Sequence, residues 1–526
     1  MTEGCLSIIL HAHLPFVRHP EYEEAIEERW LFEAVTESYV PLIEMLERLE
    51  EDGIRYRLTL SLSPTLLSML ADPLLQRRYQ ERLERLIELG RKELHRTRSQ
   101  PSSQVLAHFY TRRLMGIRRK VVDRYCGNLV EAFRALMAAG HVEIITTAAT
   151  HGYLPLLAVS PPAVRAQIRV GLACFEQFFG RRTKGFWLPE CGYCQGVDGI
   201  LRQHGIRYTV LETHGVTRAD PSPRFGVHAP IYSSSGLAVF GRDPTLSRQV
   251  WSATEGYPGD PHYREFYRDI AYDLDLDYLR PYLHADGIRL DTGFKYFRIT
   301  GKTDHKEIYL PEEAERRADL HAAHFIATIE QQLASLCPVM PRKPMVVAPY
   351  DAELFGHWWY EGPVWLDRLL RRIGSQETAI RLITPSDYLD EYPTNQVATP
   401  AVSSWGLHGF HETWLNGKTD WIYPLLHRGA GVVEELVRSH PGARGLISRA
   451  LGQSIRELLL AQASDWAFMI HSGTMAPYAA GRTNAHLSHL DRLSREIRAG
   501  RIDPVWLAQL EDRQNLFPQI DPSVFS

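Results

Sequence analysis

At 526 residues the chain exceeds one ordinary hydrophobic core, so one large domain, a barrel with insertions, and one smaller domain are expected. Its 44% hydrophobic and 23% charged composition is globular, and a net charge of -4 gives no general attraction to nucleic acid or anionic membranes. No uninterrupted apolar window of about 18 residues occurs, which argues against a membrane span, and six cysteines over this length fit free thiols in a reducing cytoplasm.

The opening MTEGCLSIIL has neither a basic region nor a small-residue cleavage site, and it reads as a first strand rather than a signal peptide. CLSIIL runs into His11-Ala12-His13, and YRLTLSLS stops at Pro64. Helical patterns follow, LLQRRYQERLERLIELGRKEL from Leu74 and VVDRYCGNLVEAFRALMAAG from Val121, so residues 71–140 form a helical excursion. HVEIITTAAT then reaches His151, KGFWLP ends at Glu190, IRYTVL ends at Glu212 and KPMVVAPY ends at Asp351. Short apolar runs alternating with helices indicate βαβ units and a parallel sheet, and polar residues gathered at strand C-termini mark the active face of an α/β barrel.

Between the last two of these strands, residues 218–267 are rich in Gly, Pro, Ser and Tyr and read as a long binding loop or lid. Residues 386–404 are polar, contain Pro393 and Pro400 and lack periodicity, which reads as a linker closing a domain over 1–385. From 405 to 526 the pattern is helical. Ile447, Leu451, Ile455, Leu458, Leu459, Gln462 and Trp466 recur at three- and four-residue steps and give a face that packs on the barrel.

Glu190, closing GFWLPE beside large rings, is either an acid tuned by desolvation or a helix cap. Asp351 and Glu353 in YDAELFGHWW pose the same choice, and one of the two is expected to be structural. Glu190 and Asp351 on two strand ends would be the carboxylate pair of glycoside cleavage, one nucleophile and one acid/base. His11-Ala12-His13 has metal-ligand spacing of low specificity, and contact with sugar hydroxyls is the favoured alternative. Cys191-Gly-Tyr-Cys194 has no second pair and reads as two spectator thiols. Trp30, Trp251 and Trp358 lie near strand ends and the long loop, while Trp405 and Trp414 sit in a Gly-, Asn- and Thr-rich stretch that suggests exposure; flat rings with polar rims suit sugars.

HAHLPF, GHVEIITTAATHG, GFWLPECGY, YDAELFGHWWYEG and AQASDWAF resemble, in order, the five sequence regions of glycoside hydrolase family 57, in the form they take in its 1,4-α-glucan branching enzymes. The resemblance covers nearly the whole chain. It implies an incomplete (β/α)7 barrel with a helical C-terminal domain and a retaining double displacement, with Glu190 as nucleophile, Asp351 as general acid/base and no cofactor or metal. It further implies that His11 and His13 line the sugar subsite at the scissile bond, joined by His151, Asp465 and Trp466. Trp405 and Trp414 would be platforms, and the loop 229–243 a lid carrying Tyr232 over the cleft. The expected partner is an α-glucan such as amylose, amylopectin or glycogen. The rival readings are a 4-α-glucanotransferase or α-amylase on the same scaffold, a metal-dependent hydrolase or deacetylase centred on His11 and His13, and a non-catalytic glucan-binding protein.

Overall fold

The computed structural model describes residues 4–252, 255–375 and 378–525. β1 (Gly4–Ala12) is buried throughout and lies at the centre of a parallel sheet, as an unbroken apolar run should. On one side follow β2 (Leu58–Leu62), β3 (Val142–Thr147) and β4 (Phe186–Trp187). A second sheet contains β5 (Tyr208–Leu211), β6 (Ile231–Tyr232) and β7 (Ala238–Gly241), and β8 (Met345–Asp351) flanks β1 on its other side. β9 (Ile380–Leu382) adds to the start of β1.

Two seams turn these sheets into an incomplete seven-stranded barrel. A parallel bridge between Gly185 and Tyr208 joins β4 to β5, and the Asp243 N–H donates to the Val347 carbonyl, joining the end of β7 to β8. Cys5, Ile9, Ile145, Trp187, Val210, Phe240 and Val347 fill the interior. The register is what builds the site: His11 pairs with both Ser61 and Asp351, so three strands bring their side chains to one level at the C-terminal rim.

Beyond β2 come helices Pro73–Arg96, Pro101–Arg118 and Val130–Ala139. The Asp72 carboxylate caps the first, accepting from the N–H groups of Leu74 and Leu75. The single helical pattern expected from Val121 is interrupted, because the backbone turns at Cys126 (φ 50°) and Gly127 (φ 86°) before Val130. The turn after β8 depends on Gly356: its φ is 114°, and a Cβ there would lie 1.7 Å from the Glu37 carbonyl oxygen.

Two expectations need correction. Residues 386–404 are not an irregular linker. Pro385–Glu391 is a helix opened by a capping box between Thr384 and Asp387, and the following strap pairs its backbone with Asp220, Tyr232 and Tyr193 before reaching Glu190. The segment 229–243 is not a lid either. It supplies β6, the Ser233–Gly236 turn and barrel strand β7, and Tyr232 pairs with Ala238, the first residue of β7, which pairs with Tyr208, the first residue of β5. Tyr232 therefore sits at the N-terminal end of the barrel, opposite the rim that carries His11 and Asp351, with its hydroxyl on the Pro393 carbonyl.

The C-terminal residues form helices Ile422–Ser439, Gly445–Ala461, Ser464–Ser472, Ala476–Ala499 and Pro504–Arg513. They dock on the barrel through the Thr150 hydroxyl to the Leu459 carbonyl, a Gly152–Ala463 bridge and the Ser464 N–H to the His151 carbonyl. Those contacts deliver Ser464 and Asp465 to the rim.

Candidate active site

Glu190 follows β4 on a sharp turn. Glu190 and Cys191 both adopt left-handed backbone, at φ 60° and 51°, as does His151 at 59°. Each such non-glycine residue costs of order 1–3 kcal/mol, a strain that surrounding structure must hold in place. Here the holding contacts are visible. Trp405 grips Glu190 twice, its backbone N–H on the Glu190 carbonyl at 3.0 Å and its indole Nε1–H on Oε2 at 2.7 Å, while the Ser464 hydroxyl donates to Oε1 at 3.0 Å.

Asp351, the last residue of β8, is treated differently. No hydrogen bond to its carboxyl forms among the described residues. Burial pushes its pKa well above the usual aspartate range, Glu353 and Glu190 push it further, and only the Arg242 guanidinium opposes them. Burial also raises the Glu190 pKa, with Asp465 adding to it, but the Trp405 and Ser464 donors stabilise the ionised form and offset part of the rise. The two acids are thus set apart by their surroundings: one carboxylate held by donors, one carboxyl inclined to keep its proton.

A chain of hydrogen bonds runs from β2 to Glu190: Ser61 Oγ to His11 Nδ1 (3.0 Å), His11 Nε2 to His151 Nε2 (3.0 Å), His151 Nδ1 to Ser464 Oγ (2.9 Å), then Ser464 to Glu190. Its direction follows from its end. The Ser464 hydroxyl donates to the carboxylate, so it accepts from His151 Nδ1–H; His151 Nε2 then accepts from His11 Nε2–H, and His11 Nδ1 accepts from the Ser61 hydroxyl. Both imidazoles must be neutral for this, and burial together with the neighbouring rings lowers both pKa values well below the ordinary histidine range. For His13 burial acts downward too, but Asp465 at 3.1 Å, with the charges of Glu190 and Glu353, outweighs it and the pKa is raised. His13 stacks on His151 at 3.9 Å between centroids, and His11 stacks on Trp187 at 4.9 Å; His11 and His151 are 1% and 2% exposed, so of the three expected lining histidines only His13 is left partly exposed.

The expected sugar-facing aromatics separate into groups. Trp405 touches Glu190 directly, and Trp251, 36% exposed, meets its edge at 6.3 Å. Trp30 is half-buried and meets Tyr478 edge-on. Trp358 is 56% exposed and stacks on Phe266. Trp414 is not an open platform: it is 1% exposed and stacked on Tyr153 at 4.1 Å. Trp466 is equally buried, with its indole N–H on the Leu460 carbonyl and its ring edge-on to Tyr478, so it packs within the helical domain instead of lining the cleft. Trp359 is core as well. Glu353 is structural in its contacts, accepting from the Tyr39 hydroxyl and the His13 N–H, and His357 pairs with Glu37 at 2.8 Å. Cys191 and Cys194 are free thiols.

Sequence reasoning missed Ser464, Ser61 and Arg242. Ser464 adjoins Asp465 within AQASDWAF, and Arg242, which also pairs with Glu212 at 2.9 Å, stands next to last in AVFGRD. His13, His151 and Asp465 place one donor atom each within 4.8 Å of one another, a set that could hold a cation were His151 to give up its bond to His11 or Ser464; His11 lies outside this set.

Trp405→Phe keeps the bulk but deletes the indole donor. A hydrogen bond to a charged acceptor is worth about 1.5–3 kcal/mol, so kcat/KM should fall roughly 10- to 100-fold. Losing a donor that lowers the Glu190 pKa should also move the acid limb of the pH profile to higher pH; an unmoved limb would count against this positioning role.

Two acids with opposed environments on separate strand ends of a barrel, beside the Trp405 indole and the His13 imidazole, are the arrangement a carbohydrate-active enzyme of the two-carboxylate class would need. The glycosyl hydrolase family 57 profile matches residues 7–340, and a profile described as the 1,4-α-glucan branching enzyme C-terminal domain matches residues 425–525. The chain belongs to glycosyl hydrolase family 57. It is 34% identical to the 1,4-α-glucan branching enzyme of Thermococcus kodakarensis, over 98% of this chain and 77% of that protein. Its fold superposes on the branching enzyme of Pyrococcus horikoshii (TM-score 0.89, 34% identity, 99% of this chain and 97% of that one). It also superposes on the Thermotoga maritima protein described as the α-amylase AmyC (TM-score 0.93, 41% identity, 99% of both chains).

Proposed function

We propose that this chain is a 1,4-α-glucan branching enzyme: it cleaves an α-1,4 link in a glucan and transfers the released segment to a glucose O6, forming an α-1,6 branch with retention. The contrast between the two acids carries the catalytic part of this reading. Glu190, stabilised as a carboxylate by Trp405 and Ser464, attacks the anomeric carbon, while Asp351, kept protonated by burial, gives its proton to the departing glycosidic oxygen. The covalent glycosyl-enzyme is then opened by an acceptor hydroxyl whose proton returns to Asp351. The Trp405–Trp251 pair and the exposed part of His13 offer surfaces for sugar rings, and the glucan is amylose, amylopectin or glycogen. Transfer rather than hydrolysis is favoured by the match of residues 425–525 to the branching enzyme C-terminal profile and by the relationship to a named branching enzyme over 98% of this chain.

Incubation with amylose followed by proton NMR tests this. Growth of the α-1,6 anomeric signal is expected; reducing ends accumulating without it would favour the second reading, an α-amylase, for which the likeness to the Thermotoga maritima protein is the specific observation. Exhaustive chelation should leave linkage formation unchanged, since no step above uses an ion at His13, His151 and Asp465; activity lost on chelation and restored by zinc at an unchanged Tm would reverse that assignment.

A further inference from the structure

Away from the barrel rim, two helices of the C-terminal domain face each other across a second cluster. Glu457 lies on Gly445–Ala461, and His486 and His489 lie three residues apart on one face of Ala476–Ala499. Both imidazoles aim Nδ1 at the same carboxylate oxygen, Glu457 Oε2, at 2.7 and 3.1 Å, while Oε1 accepts from the Gln453 amide at 2.7 Å. Glu457 and His486 are completely buried, and His486 Nε2 has no hydrogen-bond partner among the described residues. His489 is 22% exposed, with Trp506 edge-on to its ring.

We propose that Glu457, His486 and His489 form a structural site for a divalent transition-metal ion of the zinc type. One carboxylate oxygen and two imidazole nitrogens are a zinc-type donor set. The three donor atoms lie within 4.8 Å of one another, a spread that one ion at roughly 2.1 Å from each donor closes with small side-chain adjustments. An ion at the point where the two Nδ1 atoms meet Oε2 takes the place of two hydrogen bonds, and each ring's proton moves to Nε2, which in His486 requires a buried water as acceptor. Gln453 supplies the outer hydrogen bond that fixes the carboxylate. His489, 22% exposed, provides an entry path, and a water would be the fourth ligand. The ion would clamp the helices Gly445–Ala461 and Ala476–Ala499, the first of which leads directly to Ser464 and Asp465.

The test uses full-length protein stripped by a chelator and titrated with zinc and cobalt(II), followed by calorimetry, visible absorption and thermal unfolding. The wild type should bind one equivalent, show the intense visible bands of low-symmetry cobalt(II) and unfold at a higher temperature with zinc. His489→Ala, a change at the partly exposed ligand, should weaken zinc binding by about tenfold or more and abolish the zinc-induced shift in Tm, while turning over amylose like the wild type. Glu457→Gln, close in size but without the charge, carries the same test should His489→Ala fold poorly. No binding by the wild type, or undiminished binding by these variants, would overturn the proposal; the latter, with turnover inhibited, would place the ion at His13, His151 and Asp465.

Discussion

Glu190→Gln abolishes turnover while leaving glucan affinity within a few-fold of the wild type. Glutamine fits the same space and can still accept from Trp405 Nε1 or Ser464, so the left-handed turn and the residues around it keep their contacts. What it lacks is a charged oxygen able to form the glycosyl-enzyme, and removal of a nucleophile that works as part of a unit typically costs about 10⁴- to 10⁶-fold in kcat. Amylose turnover and the dissociation constant of a linear maltooligosaccharide separate these effects. A variant that turned over at the wild-type rate would end the assignment, and one that lost both turnover and affinity would make Glu190 a binding residue. Trapping with a fluorinated glycosyl fluoride adds a positive readout: label should appear on the peptide containing Glu190 in the wild type and be missing from the variant.

How much of this site the sequence discloses depends on whether the signal is local. Glu190 and Asp351 are legible because each ends a short apolar run, and a barrel collects such ends on one face. Ser464 is not, because its partnership with Glu190 spans 274 residues and depends on how the C-terminal helices dock. Trp405 and Trp414 show the limit most clearly. They share one Gly-rich stretch, yet the first holds Glu190 and the second is sealed against Tyr153. The composition around a ring describes its own segment and says nothing of what another segment lays over it. The hairpin of β6 and β7 fails for a different reason: its strands of two and four residues are too short to outweigh the Gly, Pro and Ser around them, so a barrel strand passed for a lid. The strap after Glu391 has no periodicity because its backbone partners lie elsewhere in the chain.

Asp351→Asn should slow the enzyme in a way that depends on the leaving group. On amylose the departing sugar oxygen needs a proton, and losing the acid costs about 10²- to 10⁴-fold. On an α-maltosyl fluoride the leaving fluoride needs none, so glycosylation of Glu190 should proceed at a nearly normal rate, and the glycosyl-enzyme should accumulate as a burst because no base remains to activate the acceptor. The pH profile carries the same information. Activity requires Glu190 ionised and Asp351 protonated, so the acid limb belongs to Glu190 and the alkaline limb to Asp351, whose pKa is raised by burial and by the charges of Glu353 and Glu190. Activity should therefore fall as pH rises through the Asp351 value, and asparagine should erase that limb while leaving the acid limb in place. Equal losses on amylose and fluoride with the alkaline limb intact would reduce Asp351 to a structural residue and return attention to Glu353, the other acid at the end of β8, whose carboxylate is already occupied by Tyr39 and His13.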